Sequence, residues 1–194
     1  MVELVVAAAL AGVLLVGVST AMGGGILAWR KAEELTSLAR EGGKALRLLE
    51  DQLVRSLASE AFPFDGSATE LHFVASDGTG PLEVRWSASL GSAPGEEGTL
   101  TGRWWTMDAG AAAGVAHQHV CPWVREIAFS YPMGNQEGGG YAWQETWASG
   151  NSIQVPQAVR VTLRLAGPRG GVVDLERVIV LPHGAFGTEE PQTA

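Results

Sequence analysis

The sequence predicts an α+β protein: one long N-terminal helix followed by an antiparallel β-sheet head. Three observations carry that prediction. Residues 2–28 hold only Glu3, Ser19 and Thr20 as polar side chains. Residues 30 to about 60 repeat apolar groups at spacings mostly of three or four. From Pro63 onward the apolar period falls toward two.

The first segment, residues 1–29, is apolar on every face, which few soluble helices are over such a length. As a helix, residues 2–28 would reach about 40 Å at 1.5 Å per residue. A bilayer core needs about 20 residues, so the segment reads as a membrane-spanning helix. A cleaved secretory signal fits poorly, because the run has no basic start and exceeds an ordinary signal core. Glu3 is the exception in it: a carboxylate deep in lipid costs about 2.5–3.5 kcal/mol, less near the interface. Either it lies at the headgroup level or it meets a positive group when several such helices pack together. Gly23, Gly24 and Gly25 make a soft point for the helix, or a place of close approach by a neighbour.

Residues 30–61 continue the helix as an amphipathic one. Leu35, Leu38, Ala45, Leu49, Leu53 and Leu57 form its apolar stripe. The acidic and basic side chains between them read as a solvated face. Gly42 and Gly43 are candidate kink positions, and "FPFDG" at 62–66 is the expected stop, since Pro63 cannot continue the ladder. The whole helix should run about 55 residues, half in lipid and half laid against the head.

The head, residues 62–187, shows seven strand-like stretches, beginning at "ELHFVAS" and ending at "VVDLERVIVL". In "AVRVTLRL", Val159, Val161, Leu163 and Leu165 share one face while Arg160, Thr162 and Arg164 take the other. That alternation marks a sheet covered on one side and wet on the other. The stretches "GSAPGEEG", "PMGNQEGGG" and "AGPRGG" read as connections, and residues 188–194 as a frayed tail. The tryptophans of the head, Trp86, Trp104, Trp105, Trp123, Trp143 and Trp147, fall inside strand-like stretches and read as packing groups rather than a carbohydrate platform.

A formal net charge of −8 and the lack of a basic stretch interleaved with aromatics set nucleic acid aside. Cys121 is the single cysteine, so no internal disulfide forms, and it reads as a small packed residue. His117, His119 and Cys121 alternate onto one side of a strand, a donor set Zn²⁺ accepts, but a fourth ligand at diagnostic spacing is missing. His72 and His183 are isolated. Without a nucleophile elbow, a phosphate loop or a framed pair of acids, the expectation is no enzyme, no cofactor and no metal. An Asp-rich calcium loop is also missing.

"VELVVAAALAGVLL" resembles the start of type IV pilin-like proteins, with Glu3 in place of their early glutamate. Further on, "VREIAFSY", a Gly-rich loop, "WQETW", "VPQAVRVTLRL" and "VDLERVIVLP" follow in an order similar to that of J-class minor pseudopilins of type II secretion. The corresponding positions are Phe129, Tyr131, Trp143, Trp147, Pro156, Ala158, Val159 and Arg160. The resemblance covers the first 60 residues and about 123–182, while roughly 67–120 carries little of it.

The resemblance implies a role as a minor pseudopilin and a pilin-like fold in which strands shield Leu46, Leu49, Leu53 and Leu57. Such a subunit sits in the bacterial inner membrane with its head in the periplasm. It joins minor pseudopilins of the I and K classes and the major pseudopilin in a tip complex that primes a secretion pseudopilus. Glu3 would then pair with the N-terminal amine of a neighbouring subunit. The family's mature N terminus would lie about two residues before Met1, and its basic leader does not precede Met1, which we expect to reflect truncation or a misassigned start. Arg30 and Lys31 taken alone would place the head in the cytoplasm, and a missing basic leader accounts for that contrary signal. A minor subunit of a type IV pilus and a membrane-tethered binding module are the alternative readings.

Overall fold

A computed structural model describes residues 2–91, 97–107, 117–133, 142–148, 154–182 and 184. Helix α1 runs unbroken over Val2–Val54, 53 residues, or about 80 Å at 1.5 Å per residue. The strands follow as β1 (Ser56–Leu57), β2 (Asp65–Gly66), β3 (Glu70–Ser76), β4 (Pro81–Ser89) and β5 (Gly98–Thr106). After these come β6 (His117–Met133), β7 (Ala142–Gln144), β8 (Trp147–Ala148), β9 (Ala158–Ala166) and β10 (Val172–Val180). The protein is therefore α+β, with a long N-terminal helix and a sheet in which every pairing is antiparallel. The "GSAPGEEG" and "PMGNQEGGG" connections lie largely outside the described residues, as do His183 and the expected tail at 188–194.

The sheet order is β10-β9-β6-β5-β4-β3-β2-β8, with β1 added to β3 and β7 to β6. Strands β3 to β6 form a meander, closed at one turn by Asp77, whose Oδ1 accepts the Thr79 hydroxyl (2.6 Å) and the Thr79 amide (2.8 Å). The Thr79 hydroxyl, chief among these donors, holds the Asp77 carboxyl below its usual range. Strand β6 is long because it is shared, pairing with β5 over its first part and with β9 over its second. Trp123 is an extra residue against β5 and Arg125 an extra residue against β9, so two bulges fall side by side. Trp123 sits at φ 67°, a left-handed conformation that costs a side-chain-bearing residue about 1–2 kcal/mol. Adjacent bulges bend and twist a strand, which lets β6 leave one neighbour for the other.

The helix stops earlier than the sequence suggests. Its last residue is Val54, and Ser56–Leu57 already pairs with Ala75 and Val74 of β3. The sheet edge offers Ser56 and Leu57 a ladder before Pro63 is reached, and the Arg55 carbonyl accepts the Ser76 amide at 3.1 Å. Leu57 consequently leaves the helical stripe and is 43% exposed, whereas Leu38, Ala45, Leu46, Leu49 and Leu53 are buried. Leu35 is half-buried. The expected kink at Gly42 and Gly43 is also replaced by something else. The helix continues through both, and at Gly42 its backbone packs closely against the sheet's side chains. A methyl placed there would come within 2.6 Å of Leu175 and 2.7 Å of Leu165.

The core lies between this half of α1 and one face of the sheet. In β9, Val159, Val161, Leu163 and Leu165 are buried while Arg164 is exposed, as the alternation predicts. Trp86 is fully buried, and its Nε1 donates to Gln52 Oε1 of α1 at 2.8 Å. That bond satisfies two polar groups that would otherwise cost stability in the core. Replacing Leu49 by Ala should lower unfolding free energy by about 2–5 kcal/mol, since it empties a fully enclosed site. Leu57→Ala should cost less than about 1 kcal/mol. Denaturant unfolding of the chain in detergent micelles checks both, and equal losses would contradict the helix end placed at Val54.

Candidate assembly site

The first half of α1 presents apolar side chains in every direction. Val2, Val5, Leu10, Val13, Leu14, Leu15, Val16, Val18, Met22, Ile26 and Leu27 are all exposed. An 18-residue stretch of the helix reaches a mean hydropathy of 2.3 with none of it buried. Among the described residues this is the one helix long and apolar enough to cross a membrane. The Thr20 hydroxyl turns back to the Val16 carbonyl at 2.9 Å, which hides its donor inside the rod. Gly23, Gly24 and Gly25 stay helical, and beyond the helix's own adjacent backbone a methyl placed on any of them would meet nothing within 4 Å. Close approach by another helix is open there.

Glu3 lies in the first turn of α1 and is exposed. Acidic groups suit that position, because the unpaired amides of the first turn carry partial positive charge. Glu3 makes no ion pair among the described residues. The site therefore consists of an apolar rod, a terminal carboxylate without a cation, and a head that fixes the rod's other end.

That fixation includes a polar group the sequence left on the wet side. Glu34, expected in the solvated face, is 8% exposed, and its Oε1 accepts the Arg169 amide at 2.7 Å. Its carboxylate reaches the turn between β9 and β10, where it ties α1 to the sheet just past the apolar run. Glu50 and Arg177 add a second tie, at 2.5 Å, from α1 to β10. The other charged side chains of residues 30–60 are exposed or half-buried, so the solvated-face reading holds for them.

Four of the head residues that carry the resemblance, Tyr131, Trp143, Trp147 and Arg160, meet in two contacts at one corner of the head, by the end of β6. Tyr131 packs with Trp147 (6.3 Å between rings) and edge-on with Phe64 (6.3 Å). Phe129 and Val159 are fully buried in the same core. Arg160 places its guanidinium 4.4 Å from the Trp143 ring and donates from Nε to Ser130 Oγ at 3.1 Å. Tyr131 donates to the Ser67 carbonyl at 3.3 Å, and its ring and hydroxyl occupy the space a side chain on Gly66 would need. Burial, then the nearby Asp65, pushes the Tyr131 phenol above its ordinary range.

His117, His119 and Cys121 do share one face of β6, but that face packs. His117 stacks on Trp104 at 5.7 Å, His119 lies 6.4 Å from Trp86, and Cys121 is fully buried. Among the described residues no three of His, Cys, Asp and Glu are grouped to hold a metal. His72 is paired with Glu83 at 2.9 Å. The six head tryptophans divide between core and sheet surface: Trp86 and Trp147 are buried, and Trp104, Trp105, Trp123 and Trp143 are half-buried.

Burial, followed by the Glu41 charge, raises the Cys121 thiol to about 11. The group stays protonated in the fold after it would ionise in the unfolded chain. Its stabilising effect is thus complete below the ordinary thiol range and fades as pH climbs through about 11. Unfolding scans should show an alkaline loss that is smaller in Cys121→Ala. Thiol reagents should modify Cys121 only after denaturation; rapid labelling of the native chain would contradict its burial.

No protein-family model matches this chain, and no curated protein matches it in sequence.

Proposed function

We propose that this chain is a minor pseudopilin of type II secretion, of the J class, with a pilin-like fold. The observation that carries the reading is the division of one continuous helix: its first half is apolar and bare on every side, its second is laid on an antiparallel sheet. A subunit built so can enter a bundle of similar helices while its head stays outside the bilayer. On this reading the head lies in the periplasm of a bacterium and the first half of α1 in the inner membrane. The I- and K-class minor pseudopilins and the major pseudopilin are its neighbours, and their shared filament helps move folded proteins across the outer membrane.

Glu3 has a defined task in that assembly. A carboxylate in lipid is costly alone and much less so beside a cation. Glu3 has no cation of its own among the described residues, so a neighbouring subunit's N-terminal amine supplies one. The aromatic residues at the head corner are not needed for this step; they pack the head.

In a full-length protein, Glu3→Ala should insert into the membrane at normal levels, since it removes a carboxylate from the apolar run, but lose co-purification with other pilin-like chains and lower secretion. Crosslinking through residues 2–28 in native membranes should recover those chains from the unaltered protein. Normal secretion by the variant together with crosslinks to lipid alone would favour the tethered-module reading. Recovery of type IV pilus subunits instead would assign the chain to a pilus.

A further inference from the structure

The face of the sheet turned away from α1 carries two arginines set directly opposite each other. In β4, Leu82, Val84 and Trp86 point into the core, so Glu83, Arg85 and Ser87 point outward. The register pairs Arg85 with Arg103 of β5. Their row continues through His72 to Asp65 on one side and to Gln118 on the other. Both arginines are exposed. Neither makes an ion pair among the described residues, and the nearest acid on β4, Glu83, is already held by His72 at 2.9 Å.

Like charges directly opposite across two strands destabilise a sheet. The chain holds 21 acidic residues against 13 basic ones, so carboxylates are abundant, yet among the described residues none forms an ion pair with either arginine. The next row on one side offers the Ser87 and Thr101 hydroxyls, and on the other Trp105 beside Glu83. Two guanidinium forks with their Cβ atoms about 5 Å apart are suited to bidentate carboxylate recognition.

We propose that Arg85 and Arg103 form a docking point for the carboxylates of an acidic segment on a partner protein. Charge and shape select this occupant. The arginines stand on an open sheet face, and the adjoining cavity of about 230 Å³ is lined by Asp65 and Glu70 as well as His72 and Arg85. A small free anion meets those carboxylates on entering, whereas a segment crossing the face reaches the arginines from the open side. The chain's net charge of −8 opposes any anionic partner at long range, so an acidic segment is held by the two local guanidinium forks and not by the overall field. The proposal does not depend on Glu3 or on helix assembly.

The test uses the full chain in detergent micelles and a fluorescein-labelled hexaglutamate peptide, read by anisotropy. Saturable binding that weakens with salt is expected, reduced at least about tenfold by Arg85→Gln and by Arg103→Gln. Arg47→Gln, an exposed charge on α1, should leave it unchanged. Both sheet variants should keep or raise the thermal midpoint, since each removes a like-charge contact. Absence of saturable binding, an equal loss in Arg47→Gln, or tighter binding of a heparin fragment than of hexaglutamate would overturn the proposal. A lowered midpoint in both sheet variants would also overturn it, by showing that the arginines hold the sheet rather than a ligand.

Discussion

The structure depends on the seam where residues 34–53 of α1 lie on the sheet. Leu38, Ala45, Leu46, Leu49 and Leu53 fill it, and Gly42 lets the helix settle against Leu165 and Leu175. Polar contacts sit at both ends of it: Glu34 with the Arg169 amide, Gln52 with Trp86. Each leucine fully enclosed there adds about 1.5–3 kcal/mol relative to exposure. Because the same helix continues past the seam without a break, whatever holds its lower half also aims its upper half.

The upper half has no comparable cover. Its valines and leucines are exposed in the single chain, and apolar surface on that scale is unfavourable in water. Lipid or other helices must take it up. The head, in contrast, closes its own core, with Phe73, Trp86, Phe129 and Tyr131 fully buried. The head with the second half of α1 is thus complete as it stands, and the first half of α1 is a surface for company. This inequality is the physical basis for the proposed reading of the protein as a subunit of a larger assembly.

Strand β6 links the two sides of the head. Its paired bulges at Trp123 and Arg125 hand it from β5 to β9. Past them, Ser130 and Tyr131 meet Arg160, Trp147 and Phe64 at the aromatic corner. A strand serving one partner throughout could not connect the meander to the β9–β10 hairpin in this way. The left-handed backbone at Trp123 is the local cost of that hand-over.

The sequence by itself determined the local features: the apolar rod, the alternation in β9, and most strand positions, with "ELHFVAS" coinciding with β3. Such features repeat along the chain with a period, and a period needs no knowledge of neighbours. Of the candidate site, Glu3 was legible because one acid in an apolar run stands out. Glu34 was not, because on a helix with many charges nothing local separates a carboxylate that meets a distant turn from one that meets water. The helix end at Val54 was missed for a similar reason: Pro63 is a local stop, but the edge of β3 competes for Ser56 and Leu57 first. Register decided the rest. Arg85 and Arg103 become neighbours, and His117, His119 and Cys121 become packing groups, only when separate strands are laid side by side. Such long-range alignment is set by burial of the whole sheet against α1, and tertiary structure alone supplies it.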